Sequence, residues 1–152
     1  MYKQILCPVD GSPTSNVGMN EAILFAKDQH AKLLFLHVIE IFFPIPDISG
    51  GLHIVYMTDI LRENGSKILK NAQELASKAG VTSESVMLET LDGRVSKSVL
   101  EKALEWHADL IVMGTHGLRG LERFVMGSDA QAILHNSPVP VLLVKNKSNA
   151  SS

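Results

Sequence analysis

Five short apolar runs recur along the 152 residues: QILCPV (4–9), KLLFLHV (32–38), ESVMLET (84–90), DLIVMG (109–114) and VPVLLVK (139–145). A stretch with helical spacing separates each run from the next. In the first, Met19, Ala22, Ile23 and Ala26 repeat at three and four within residues 14–28, Ser12 is placed to cap the helix, and Pro13 suits its first position. A long second pattern runs through Met57, Ile60, Leu61, Ile68, Ala72, Leu75 and Ala79, with Gly80 where a helix-ending glycine belongs. The turn LDGR precedes a third pattern, Val95, Val99, Ala103 and Trp106, and residues 128–135 form a short fourth. Strands alternating with helices predict an α/β domain: a parallel sheet with helices on both faces. KLLFLHV is apolar on both sides, as a strand covered by helices should be.

In such sheets ligands sit beyond the carboxyl ends of the strands, where the strand order reverses. The segments PVDGS, HVIE, ETLDG and MGTHG occupy those ends. The last opens GTHGLRGLERFVMGSDA, in which Gly114 and Gly117 lie three apart and nine residues precede Gly127 and Ser128. Glycine at a strand end lets the chain turn with positive φ or lets backbone approach a ligand. Successive amides in such a loop make an anion-binding concavity, and the unpartnered amides of a helix start attract phosphate. The lysine-bearing phosphate loop and the dinucleotide fingerprint are both absent from the sequence.

This spacing resembles the nucleotide motif of the universal stress protein family. ILCPVDGS is similar to that family's first strand, LHVIE to its second and PVPVLLVK to its last, so the likeness spans nearly the whole chain. The resemblance implies a Rossmann-like, adenine nucleotide alpha hydrolase-like sheet of order 3-2-1-4-5. It also implies binding of ATP, or of AMP or ADP, whose charge would be compensated either by Arg119 and Arg123 or by Mg²⁺ bound mainly by phosphates and water. Asp10 would then accept from the ribose. Pro8, Val9 and Val38 would line the adenine, with Val38 backbone reading its edge, and Met113 would pack near sugar or base. Backbone of Gly114, Thr115, His116, Gly117, Gly127, Ser128 and Asp129 would surround the phosphates. The implied activity is a nucleotide-dependent regulatory homodimer in stress response, joined through the last strand from Val139 to Val144, with little or no hydrolysis and a regulatory protein as partner.

Each of these residues has a plainer role as well. Asp10 with Gly11 is a common turn pair. Ser128 with Gln131 reads as a capping box, compatible with phosphate contact because other amides remain free. Asp129 departs from the small or apolar residue frequent at its position: it suits the helix dipole but repels phosphate. Arg119 and Arg123 are candidate phosphate charge partners or solvated loop residues. His116 has no orienting carboxylate at a readable spacing and is read as a loop residue. The irregular residues 39–53, with Phe42, Phe43, Pro44 and Pro46, are a lid over the adenine, a partner-binding loop or a loop packed on its own domain. A slow ATPase or nucleotidyl or phosphoryl transferase, and a dimerisation module without nucleotide, remain as alternatives.

Composition narrows the rest. Formal net charge is −2 and no basic arm stands out, which argues against nucleic acid as partner. The single cysteine, Cys7, excludes an internal disulfide, fits a reducing compartment, and lies in an apolar run as a core residue. No apolar run approaches the roughly 18–20 residues of a membrane-spanning helix, and Pro8 and Asp10 interrupt the first run, so neither membrane insertion nor a signal peptide is expected. A cytoplasmic location follows. Residues 1–146 are expected to form one domain, and the polar residues 147–152 a disordered tail.

Overall fold

The computed structural model describes residues 1–41, 50–115 and 126–146. The candidate lid residues Phe42, Phe43, Pro44 and Pro46, the motif residues His116, Gly117, Arg119 and Arg123, and the tail 147–152 lie outside them. The elements alternate as expected: β1 (Gln4–Pro8), α1 (Pro13–Gln29), β2 (Lys32–Glu40), α2 (Gly50–Lys78), β3 (Ser83–Thr90), α3 (Val95–Glu105), β4 (Leu110–Gly114), α4 (Ser128–Asn136) and β5 (Val141–Val144). Among the described residues the strands form one parallel sheet in the order β3-β2-β1-β4-β5.

The order reverses at β1, so its two neighbours are reached in opposite directions, and right-handed crossovers then send helices to opposite faces. Ile5, Cys7, Leu33, Phe35, Leu110 and Val112 pack with α1 and α2 through Met19, Ala22, Ala72 and Ala76. Leu6, Leu34, Leu36, Ile111 and Met113 pack with α3 and α4 through Val99, Ala103, Ala130 and Ile133. Alternation along each strand thus feeds two cores, which is why the central strands read as unbroken apolar runs.

Local chemistry sets the boundaries. Ser12 caps α1, its Oγ accepting the Ser15 N–H at 3.2 Å, and Pro13 opens the helix. Gly80, at φ +78°, turns the chain out of α2 while its N–H reaches the Ser77 carbonyl at 3.0 Å. The irregular segment is shorter than residues 39–53. Ile39 is buried and Glu40 pairs with Thr90, so β2 continues, and α2 already begins at Gly50. β5 is shorter than the run 139–145. Ser137 Oγ engages both the N–H and the carbonyl of Val139 in a local turn, and Pro140 follows with no amide to donate.

Candidate functional site

The strand order reverses between β1 and β4, and in such sheets a crevice opens at the carboxyl ends of the strands there. On the β1 side the chain Pro8–Asp10 is held by its own polar groups. The Val9 N–H donates to the Leu36 carbonyl at 2.8 Å, and His37 Nδ1 meets the Val9 carbonyl at 2.7 Å. A carbonyl only accepts, so Nδ1 carries the ring proton. The Asp10 N–H donates to Ser15 Oγ at 3.0 Å, and Asp10 Oδ1 accepts the Ser12 N–H at 2.8 Å. The turn role of Asp10 is therefore real, yet it uses one oxygen. Among the described residues no hydrogen bond reaches the other, Oδ2, and Asp10 is half-buried.

Strand parity makes Val38 the second feature. The amides of Leu33 and Ile41 donate towards β3, so the odd-numbered amides of β2 face that strand. The even-numbered ones face β1, where Leu36 accepts from Val9. Val38 is the next even residue, and β1 has ended by then. Its N–H and carbonyl point past Val9 into the crevice, and among the described residues no hydrogen bond reaches either. The Pro8 and Val38 side chains are half-buried, Met113 is buried, and Val38 and Met113 share the α3/α4 face. Val9 does not join them. Its side chain is buried in the α1/α2 core, and its N–H and carbonyl are both bonded within the protein.

At the end of β4 two backbone amides of the glycine motif are already bonded within the protein. The Thr115 N–H donates to the Val144 carbonyl at 3.3 Å, and the Gly127 N–H to the Thr115 carbonyl at 3.0 Å. Those two amides serve the protein rather than a ligand. What they do is fasten the start of α4 beside the end of β4. Gly127, not Ser128, is the N-cap and no side chain caps the helix, so Ser128 stands at the first helical position and the capping box does not form. The Gln131 N–H takes the Gly127 carbonyl at 3.0 Å, and among the described residues no partner reaches the amides of Ser128, Asp129 and Ala130 in the first turn.

Gly114 too has a structural duty. It lies in β4 rather than in a left-handed turn, and a Cβ there would collide with the Thr14 carbonyl oxygen of α1. Asp129 is exposed, but partial burial of its carboxyl pushes it above the ordinary range. The Ser96 backbone N–H, short of a full hydrogen bond, opposes that shift, and the Asp10 charge adds to it. The two carboxylates therefore feel each other across the crevice. Two grooves lie elsewhere, one between α3 and the end of α4 and one at the opposite end of the strands around His30 and Gly80.

A model of the universal stress protein family matches residues 1–145. The chain belongs to this family. A universal stress protein of Methanocaldococcus jannaschii is 36% identical over 147 residues, covering 95% of this chain and 83% of that one. The structure of universal stress protein UspA from Lactobacillus plantarum matches with a TM-score of 0.84 at 19% identity, over 94% of this chain and 97% of the other, a likeness of fold. A universal stress protein solved in complex with cAMP matches with a TM-score of 0.65 at 25% identity, over 95% and 97%.

In this universal stress protein the structure brings Pro8, Asp10, Val38, Met113, Gly114, Thr115, Gly127, Ser128 and Asp129 to one end of the sheet. Sequence reasoning missed His37, Ser15 and Gly18. The first two hold the Asp10 loop, and the third receives β4 against α1. An apolar–polar break at His37 inside KLLFLHV is the one local signal that a polar duty falls there.

Proposed function

We propose that the protein binds an adenine nucleotide, ATP foremost, in the crevice between β1 and β4, and acts as a nucleotide-responsive homodimer in the cytoplasmic stress response. The observation that carries this reading is the pairing of Val38's unpartnered amide and carbonyl with the open Oδ2 of Asp10 at the end of β1. An adenine edge presents one acceptor and one donor side by side, which the Val38 backbone matches. Asp10 then accepts from a ribose hydroxyl, and Pro8, Val38 and Met113 supply apolar lining. The amides of Ser128, Asp129 and Ala130 take the phosphates at the positive end of α4. Gly114 and Thr115 border that end, with His116, Gly117, Arg119 and Arg123 following in the spacer. The related protein in complex with cAMP supports the choice of adenine.

Among the described residues no group of three or more His, Cys, Asp or Glu is placed to hold a metal, so Mg²⁺ enters on the phosphates. Among them also, no helix is long and apolar enough to cross a membrane. Dimerisation uses β5, an edge strand whose four residues are all half-buried. Nucleotide occupancy changes what the dimer presents to a regulatory partner, and turnover stays below about one per minute, far under the 1–10³ s⁻¹ of ordinary enzymes.

Titration calorimetry with ATP, AMP and cAMP tests the reading, with Asp10→Asn as the control. Asn keeps an oxygen for the Ser12 N–H and so keeps the turn, but it replaces Oδ2 with a donor. An affinity loss of about tenfold is expected, the worth of one hydrogen bond to a charged group. Absence of binding by the wild-type protein to all three nucleotides refutes the proposal.

A further inference from the structure

We infer that His37 is a positioning residue: by holding the Val9 carbonyl, its ring keeps that carbonyl off the Val38 N–H and leaves the amide open for a base. This inference rests on the adenine reading of the same crevice and adds the residue that makes it readable.

The parallel ladder supplies the reason. Leu36 accepts from Val9, so the next bond in the register would run from the Val38 N–H to the Val9 carbonyl. That bond is absent, and His37 Nδ1 takes the carbonyl at 2.7 Å instead. A side chain thus ends the β1–β2 ladder one bond early. Without it, the Val9 carbonyl would have the Val38 N–H as its nearest donor, and a bonded amide offers nothing to a ligand.

The ring lies under α2, on the strand position in register with Met87. His37 projects from β2 to the α1/α2 side, where α2 presents Gly65 directly over it. A Cβ at Gly65 would lie 2.7 Å from His37 Cδ2 and 3.2 Å from Nε2, and the Met87 sulfur stands 3.1 Å from the same point. The same ring steadies the chain one residue before Asp10, whose own amide is fixed by Ser15 Oγ. One histidine therefore sets both the base-facing amide and the lead into the ribose-facing carboxylate.

The test uses His37→Leu and His37→Asn. Leucine fills the space and donates nothing. Asparagine places an N–H the same number of bonds from the backbone as Nδ1, so it restores the contact. Amide exchange of Val38 is followed by NMR on the nucleotide-free protein, and calorimetry compares ATP with 1-deaza-ATP, which lacks the acceptor facing Val38. We expect Val38 exchange to slow at least tenfold in His37→Leu and to stay near wild type in His37→Asn. We expect the wild-type preference for ATP over the deaza analogue, about tenfold, to vanish in His37→Leu and to return in His37→Asn. Unchanged Val38 exchange in His37→Leu, or equal behaviour of the two variants, overturns the inference. If exchange responds as expected but no nucleotide binds the wild type, the histidine's hold on the ladder stands, while the adenine reading and the base-reading role fall.

Discussion

Gly18 of α1 and Gly114 of β4 touch backbone to backbone: a Cβ on Gly18 would sit 2.5 Å from the Gly114 nitrogen, and one on Gly114 would strike the Thr14 carbonyl oxygen. α1 lies flat on the end of β4 because neither residue has a side chain. That closeness places the start of α1, and with it the Asp10 loop, beside the last residues of β4.

Gly114→Ala is therefore expected to destabilise the nucleotide-free protein. The methyl meets main chain, which has no rotamer to give way, so the penalty should reach the upper part of the 1–3 kcal/mol usual for overpacking. Urea unfolding without ligand measures it. Unchanged stability would mean that the glycine is present for a ligand alone.

Gly65→Ala offers a contest of signs. Alanine in place of glycine inside a helix stabilises by about 1 kcal/mol through propensity. Here its methyl would lie 2.7 Å from the His37 ring, which is tied to the Val9 carbonyl and cannot retreat without breaking that bond. We expect the clash to win, with net stability falling by about 1 kcal/mol. A raised unfolding midpoint would show that the ring yields freely.

Cys7 is fully buried in the middle of β1, and burial pushes its thiol up to about 12. The thiolate is the reactive form, and at pH 8 only about one part in ten thousand is present by the Henderson relation. A disulfide reagent should label the native protein no faster than it unfolds, and label it at once in denaturant. Fast native labelling would place the thiol at the surface.

The order of elements was legible because each strand and helix writes its own period into the chain, and burial on both faces of the sheet made the runs conspicuous. Their ends were less so, since they depend on partners: β2 runs on to Glu40 because β3 is there to pair with it. The same distinction divides the site. Asp10 could be placed because it directly follows the first apolar run, whereas Val38, inside β2 rather than at its end, rested on the family resemblance. The duties of Gly114, Gly127 and Val9 could not be placed, because Thr14, Thr115 and His37 reach them only through the tertiary fold. The glycine spacing seen in the sequence is thus shared between packing and a candidate phosphate grip.

Asp129 gives a prediction in pH. A carboxylate in the first turn of a helix gains about 0.3–1 kcal/mol from the dipole, which alone would lower its pKa. Partial burial and the Asp10 charge outweigh that gain, since the group stands above its ordinary value of 3.8. A raised folded pKa means that the native state holds the proton more tightly than the unfolded chain. The associated stability is fully present below the ordinary value and is lost as pH rises through the raised one. Asp129→Asn removes the charge while keeping the shape, so the variant should be more stable than wild type at pH 7. Solvent screening at this exposed site limits the gain to under about 1 kcal/mol. The advantage should shrink as pH falls towards 3.8 and disappear below it. Denaturant midpoints for both proteins across that window decide the matter. A variant less stable than wild type at pH 7 would mean that the dipole and the Ser96 amide outweigh the desolvation of the carboxylate.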